Sequence, residues 1–233
     1  MKYLFCNLKN RMVKDEFLVY QEYIKKINQE NLIIFPANVF LSLADDSLNI
    51  GAQDISSIID EIVTGEITGK QLKSMNVKYV IIGHSERRIF KQEKNLDFIN
   101  KINACNEEDF KVIYCIGETL KQRENKETYQ ILEKEICEVL NNVDLKNIII
   151  AYEPVWAIGT GEVPEILEIK DKIIFIKDLI EEIYDKEIPV IYGGSVNENN
   201  IAELNQIKSL DGFLVGGASL EPIKVEKMLK IIS

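Results

Sequence analysis

Glu153 closes the apolar run Ile148 to Tyr152 and is followed at once by Pro154. An ionised carboxylate is costly to bury unless it is hydrogen-bonded, paired or put to use. At the end of a buried strand it is either a structural group capped by a neighbouring amide or a base. His84, the single histidine of the chain, follows a second apolar run and Gly83. Isolated histidines are more often structural. A neutral imidazole at a site, however, can donate to one oxygen and accept from another, and a helix start beside the ring opposes its protonation. Asn7 and Lys9 close a third run that begins at Tyr3. Most lysines are simply solvated, but one at a barrel mouth is an electrophile. A carboxylate base, a neutral imidazole and a fixed cation suit proton abstraction beside a carbonyl, with the enediolate held by Lys9 and His84.

The fourth part of this constellation is a place for an anion. Gly193-Gly194-Ser195 and Gly216-Gly217-Ala218-Ser219 follow the last two apolar runs. Glycine lets backbone N–H groups approach a ligand closely, although turns use glycine in any case. Behind Glu153, Pro154 to Gly161 holds the only tryptophan, Trp156, between a proline and two glycines. Such a loop can close over a site and exclude water. No metal-ligand cluster, dinucleotide fingerprint or nucleophile elbow occurs.

Eight short runs rich in Ile, Val and Leu are positioned to carry these residues: 3–7, 32–35, 48–52, 78–82, 111–116, 148–152, 189–192 and 213–215. Continuous apolar runs of this length predict strands covered on both faces. Between them, helical periodicity predicts helices over 13–30 and 95–106. A long charged helix is expected after Gly117-Glu118-Thr119 to about Leu140, and another with Pro164 in its first turn to Tyr184. Pro222 opens a last helix. The alternation predicts a (β/α)8 barrel, with a doubly wound open sheet as runner-up. No linker or compositional break divides residues 1–233, so a single domain is expected.

The 233 residues carry a formal net charge of -10 and no basic run, which argues against a nucleic-acid partner. No stretch reads as a signal peptide or a membrane span. Cys6, Cys105, Cys115 and Cys137 lack pairing or metal-ligand spacing and read as reduced thiols of a cytoplasmic protein.

The motifs Gly-His-Ser-Glu-Arg-Arg (Gly83 to Arg88), Cys-Ile-Gly-Glu (Cys115 to Glu118), Ala-Tyr-Glu-Pro-Val-Trp-Ala-Ile-Gly-Thr-Gly (Ala151 to Gly161), Tyr-Gly-Gly-Ser-Val (Tyr192 to Val196) and Gly-Gly-Ala-Ser-Leu (Gly216 to Leu220) occur in this order. The chain resembles the triosephosphate isomerase family along nearly its whole length, a family that is itself a standing example of acid–base tuning and loop gating. The resemblance implies a cofactor-independent interconversion of dihydroxyacetone phosphate and D-glyceraldehyde 3-phosphate, in glycolysis and gluconeogenesis. It implies Glu153 as the base, His84 as the neutral electrophile and proton shuttle, Lys9 as the oxyanion's cation and Asn7 as the orienting amide. Backbone N–H groups of Gly159, Ser195, Gly216 and Gly217 would hold the phosphate, with no metal. Thr64-Gly65-Glu66 resembles the family's interface loop, which implies a homodimer with Thr64 beside the other subunit's Asn7 and Glu66 facing Arg87. Tyr152 and Glu118 would compete for the indole N–H of Trp156.

The chain departs from the family's pattern at Leu8, where tryptophan is usual, and at Glu162-Val163-Pro164, where a lysine-led hinge is usual. It is also short, which implies trimmed outer helices and loops. Two rival readings stand beside the isomerase: an aldolase using Lys9 as a Schiff-base nucleophile, and a non-catalytic phosphosugar-binding barrel. The second leaves a positioned base without a purpose.

Overall fold

In the computed structural model, which describes residues 1–59, 61–159 and 164–233, the apolar runs form eight parallel strands. These are β1 (Tyr3–Asn7), β2 (Leu32–Phe35), β3 (Gly51–Ala52), β4 (Tyr79–Ile82), β5 (Lys111–Ile116), β6 (Ile148–Tyr152), β7 (Val190–Tyr192) and β8 (Gly212–Val215). The sheet order is β2-β1-β8-β7-β6-β5-β4-β3. A parallel bridge between Ile34 and Ile50 joins its two ends, supported by the Ile34 amide donating to Asn49 at 2.9 Å. The sheet is therefore closed, and the fold is a (β/α)8 barrel rather than an open doubly wound sheet.

Strand alternation divides the apolar residues between two cores. Phe5, Ile33, Ile81, Ile113, Ile149, Ala151, Ile191 and Leu214 fill the barrel interior. Their strand neighbours, among them Leu4, Val80, Ile150 and Phe213, face outward into a second core shared with the helices. The helix α1 (Lys14–Ile27) shows the complement: Phe17, Tyr20, Gln21 and Ile24 share one buried face, at the spacing a helix needs to lie against a sheet. The remaining helices among the described residues are α2 (Gly69–Ser74), α3 (Ser85–Lys91), α4 (Asn95–Glu107), α5 (Leu120–Glu124), α6 (Thr128–Leu140), α7 (Ile166–Tyr184), α8 (Ile201–Leu204) and α9 (Pro222–Ile232). Only a 3-10 turn, Asn38–Leu43, separates β2 from β3. None of the described helices is long and apolar enough to cross a membrane.

Three expectations are corrected. The third strand is shorter than 48–52: it covers only Gly51–Ala52, preceded by the single bridge at Ile50, and the Phe35 ring packs so closely on it that a Cβ on Gly51 would come within 2.2 Å. The single helix expected up to Leu140 is two, α5 and α6, separated at Lys126, whose φ of 62° is left-handed. Pro164 does not lie in the first turn of α7. That helix begins at Ile166 with Glu165 as its N-cap, so the proline sits just ahead of the cap.

Candidate active site

The barrel mouth is built from the next inward-facing position on each strand, one step beyond the inner core. On β1 the series Phe5, Asn7 brings an amide to the rim; on β6 Ile149, Ala151, Glu153 brings a carboxylate. On β7 and β8 the corresponding positions are Gly193 and Gly216, which add no side chain and leave room. On β4 it is Gly83, with a φ of 73° that turns the chain and delivers His84 to the rim. Asn7, Lys9, His84, Glu153, Gly159, Ser195, Gly216 and Gly217 line one cavity of about 240 Å³. All eight site residues expected from the sequence are thus brought together.

Glu153 is buried, at 3% exposure. Its Oε1 lies 3.5 Å from Nε2 of His84, and its Oε2 is buried with no hydrogen-bond partner among the described residues. The Cys115 thiol is pushed well above its ordinary pKa by burial and then by the neighbouring Glu153 carboxylate. The carboxylate therefore has a neutral thiol beside it. Nδ1 of His84 accepts the Glu86 backbone N–H at 3.2 Å. That bond leaves Nδ1 without a proton and places the ring's N–H at Nε2, facing Glu153 and the cavity.

Lys9 is held in the left-handed region, with φ 52°. Such a conformation costs a non-glycine residue about 1–3 kcal/mol, and its surroundings hold it there. The Lys9 amide donates to Asn7 Oδ1 at 3.1 Å, while its carbonyl accepts from Gln53 Nε2 at 2.8 Å. Its ammonium pairs with Glu86 Oε1 at 2.5 Å. Leu8, between the two polar residues, is 2% exposed. The gap beside it, between Phe17 and Phe40, is too small for a water molecule. The smaller side chain therefore packs closely, and the Asn7–Lys9 bond survives it.

The opposite wall is backbone. Gly216 lies close to Lys9, its imagined Cβ being 3.5 Å from Lys9 Cε, while Gly217 and Gly159 have open space where a side chain would stand. Gly217 opens a 3-10 turn to Leu220. That turn is held from behind by Tyr20, whose buried hydroxyl donates to the Ser219 carbonyl at 2.9 Å. Ser195 donates its hydroxyl to the Ala157 carbonyl at 2.5 Å, tying the loop after β7 to the loop after β6.

At Trp156 both expected neighbours are in place. The indole N–H donates to Glu118 Oε1 at 2.9 Å, and Tyr152 donates its hydroxyl to the same carboxylate at 3.2 Å. In this arrangement Glu118 takes the indole N–H, and Tyr152 is a second donor to it. Burial raises the Glu118 pKa. Arg123 lies over the indole at 3.9 Å and is forked onto Glu168. The expected hinge at Glu162 and Val163 lies outside the described residues. So does any group in 160–163 that the buried Tyr192 hydroxyl would meet.

Glu86 and Gln53 hold Lys9, and neither was singled out from the sequence. Glu86 had one signal: it lies in the first turn of the helix that His84 begins. Gln53 had only its place after an apolar run. Among the described residues no group of three His, Cys, Asp or Glu side chains is placed to hold a metal ion.

The fold and site define an isomerase barrel: the Glu153 carboxylate and the His84 imidazole lie side by side on a small cavity whose far wall is glycine backbone. The family model described as triosephosphate isomerase matches residues 2–233. A triosephosphate isomerase of Thermodesulfovibrio yellowstonii is 40% identical, with 98% of each chain covered. One from Mesomycoplasma hyopneumoniae (strain 7448) is 42% identical over 91% of this chain and 88% of its own. One from Mycoplasmoides gallisepticum is 36% identical over 98% and 97%. The chain belongs to the triosephosphate isomerase family.

Proposed function

We propose that the protein interconverts dihydroxyacetone phosphate and D-glyceraldehyde 3-phosphate through an enediolate, serving both glycolysis and gluconeogenesis. The observation that carries the reading is the Glu153–His84 pair, a carboxylate with an unpartnered oxygen beside an imidazole N–H. Glu153 takes a proton from C1 of the ketose, and the electron pair moves onto the C2 oxygen. Lys9 and the Nε2–H of His84 hold the developing negative charge, and Asn7 orients the group. His84 carries the proton between the two oxygens, and protonated Glu153 returns its proton to C2. The protons and electrons balance within the substrate, so the reaction needs no cofactor or metal. Backbone N–H groups of Gly159, Ser195, Gly216 and Gly217 receive the phosphate, which lets an acidic protein hold a dianion without a basic patch.

The loop Thr64-Gly65-Glu66 is fully exposed and is preceded by exposed Ile58, Ile59, Ile62 and Val63. Apolar residues gathered in this way support a covered surface. A second cavity of about 750 Å³ adjoins Lys9 and extends past Asn10, Arg11 and Phe90, a space that such a loop from another copy would fill. We therefore read the protein as a homodimer. Within one chain Arg87 pairs with Asp54 and Glu93, each at 2.6 Å; Glu66 of a second copy would be its third carboxylate. All four cysteines are free and three are buried, which supports the reducing cytoplasm as its compartment.

A coupled assay of the wild type beside Glu153→Gln tests the reaction. The wild type is expected to turn over both trioses, and the variant to lose about two to four orders of magnitude while still binding phosphate analogues. Near-normal turnover by the variant would sink the assignment. A Lys9 adduct trapped by borohydride with substrate would instead favour the aldolase.

A further inference from the structure

We infer that Arg88 and Glu135 form a positioning pair that sets the separation of His84 and Glu153, an inference that rests on the reaction proposed above. Arg88 lies one helical turn after His84 on α3, and Glu135 lies on α6. Their side chains meet at 3.1 Å, with exposures of 21% and 19%. The donors of Arg88 are directed at strand ends. Nε donates to the Gly83 carbonyl at 2.7 Å, and the second terminal nitrogen donates to the Cys115 carbonyl at 2.8 Å. The guanidinium lies over the Phe98 ring at 4.4 Å. The other oxygen of Glu135 accepts the Gly117 amide at 3.0 Å. Tyr114 closes the group by donating its hydroxyl to the Glu135 carbonyl at 2.9 Å.

Each backbone group held in this way is a neighbour of a reacting side chain. Gly83 directly precedes His84. Cys115 and Gly117 flank Ile116, whose carbonyl accepts the Glu153 amide at 2.8 Å. Gly117 is pressed so closely on that residue that a Cβ there would lie 1.9 Å from the Glu153 carbonyl oxygen. The pair therefore ties the end of β4, which carries the imidazole, to the end of β5, against which the base is seated. The ladder of β4 against β5 reaches only the Ile82–Tyr114 pairing. Beyond it, side chains take over the work of the ladder. A guanidinium can bind two carbonyls and a carboxylate at once with fixed geometry; an ammonium cannot.

The test uses the full chain as Arg88→Lys, Arg88→Met and Glu135→Gln, each checked for folding by circular dichroism melting. Three readouts are taken: kcat against KM, affinity for 2-phosphoglycolate and for inorganic phosphate, and the ring nitrogen resonances of His84 by NMR. His84 is the only histidine, so those resonances need no assignment. Small misplacement of reacting groups costs up to about a hundredfold in rate. Arg88→Lys, which keeps the charge and loses the fork, is expected to lower kcat by roughly ten- to a hundredfold, with KM changed by less than about threefold. The His84 resonances are expected to move, while phosphate affinity is retained because its cradle lies in the loops after β6, β7 and β8, none of which Arg88 or Glu135 contacts. Glu135→Gln is expected to show the same pattern more weakly. Folded Arg88→Lys and Glu135→Gln proteins with wild-type kcat and unmoved His84 resonances would overturn the inference, leaving the pair purely structural. If Arg88→Met does not fold, the other two variants still decide. An inactive wild type would overturn the reaction itself, and the His84 resonances would still report whether Arg88 positions the ring.

Discussion

Nε2 of His84 and Oε1 of Glu153 stand 3.5 Å apart, although the residues close two strands, β4 and β6, that do not touch because β5 runs between them. A carboxylate and an imidazole at this distance face the same small volume, and a two-carbon unit placed there is within reach of both. The Glu153 side chain is closely packed, and its Oε2 has no hydrogen-bond partner among the described residues.

Gly193→Ala is therefore expected to displace the Glu153 side chain directly. A Cβ at that position would lie 2.7 Å from Glu153 Cγ, which is too close for either group to stay where it is. Turnover should fall by about two orders of magnitude, with the fold retained, as read by coupled assay and thermal melting. Wild-type kcat in a folded Gly193→Ala protein would show that the base is placed by something else.

Glu118 offers a pH test. Burial raises its folded-state pKa above the ordinary 4.5. Between 4.5 and the folded value, the native state holds more protons than the unfolded state, so this carboxyl's contribution to stability falls as pH rises through that window. Glu118→Gln keeps an oxygen to accept from Trp156 and Tyr152 but removes the titration. The melting temperature of the variant minus that of the wild type should rise with pH from 4.5 upward and then level off. A difference that stays constant from pH 4 to 8 would contradict the assignment.

Trp156 should report ligand binding by its fluorescence. Its indole is bonded to Glu118 and covered by Arg123, and the residues that follow it continue to Gly159 on the cavity wall. Saturating 2-phosphoglycolate, a mimic of the enediolate, is expected to shift emission maximum or intensity, and inorganic sulfate to do so less. Relaxation after a temperature jump is expected in the microsecond-to-millisecond range, and Pro164→Ala should change those rates more than the affinity. No spectral change at saturation would remove the link between Trp156 and the site.

Assembly is expected to be necessary for activity. A charged substitution at the exposed loop, Thr64→Arg, should yield smaller particles by light scattering and specific activity that climbs with protein concentration. A species sized as a monomer and fully active at every dilution would contradict the homodimer.

Strand positions were legible in the sequence because a buried strand must be an uninterrupted apolar run. Four of them, β1, β2, β5 and β6, fall on the residues expected. The inward series Ile149, Ala151, Glu153 was equally implicit, since alternation along a strand needs no tertiary information. So were the rim glycines, which follow their strands directly. The sequence did not determine which rim residues meet. Lys9 and Glu86 pair across 77 residues, and Arg88 and Glu135 across 47; those contacts exist only once the barrel closes and its stagger is set. The close seating of the Phe35 ring on Gly51 was likewise not legible, and the break between α5 and α6 falls at a left-handed Lys126 that carries no glycine or proline as a signal. Local pattern decides period and punctuation, because those are properties of neighbours along the chain. Distances between side chains on different strands are properties of the closed sheet, and only the tertiary structure decided them.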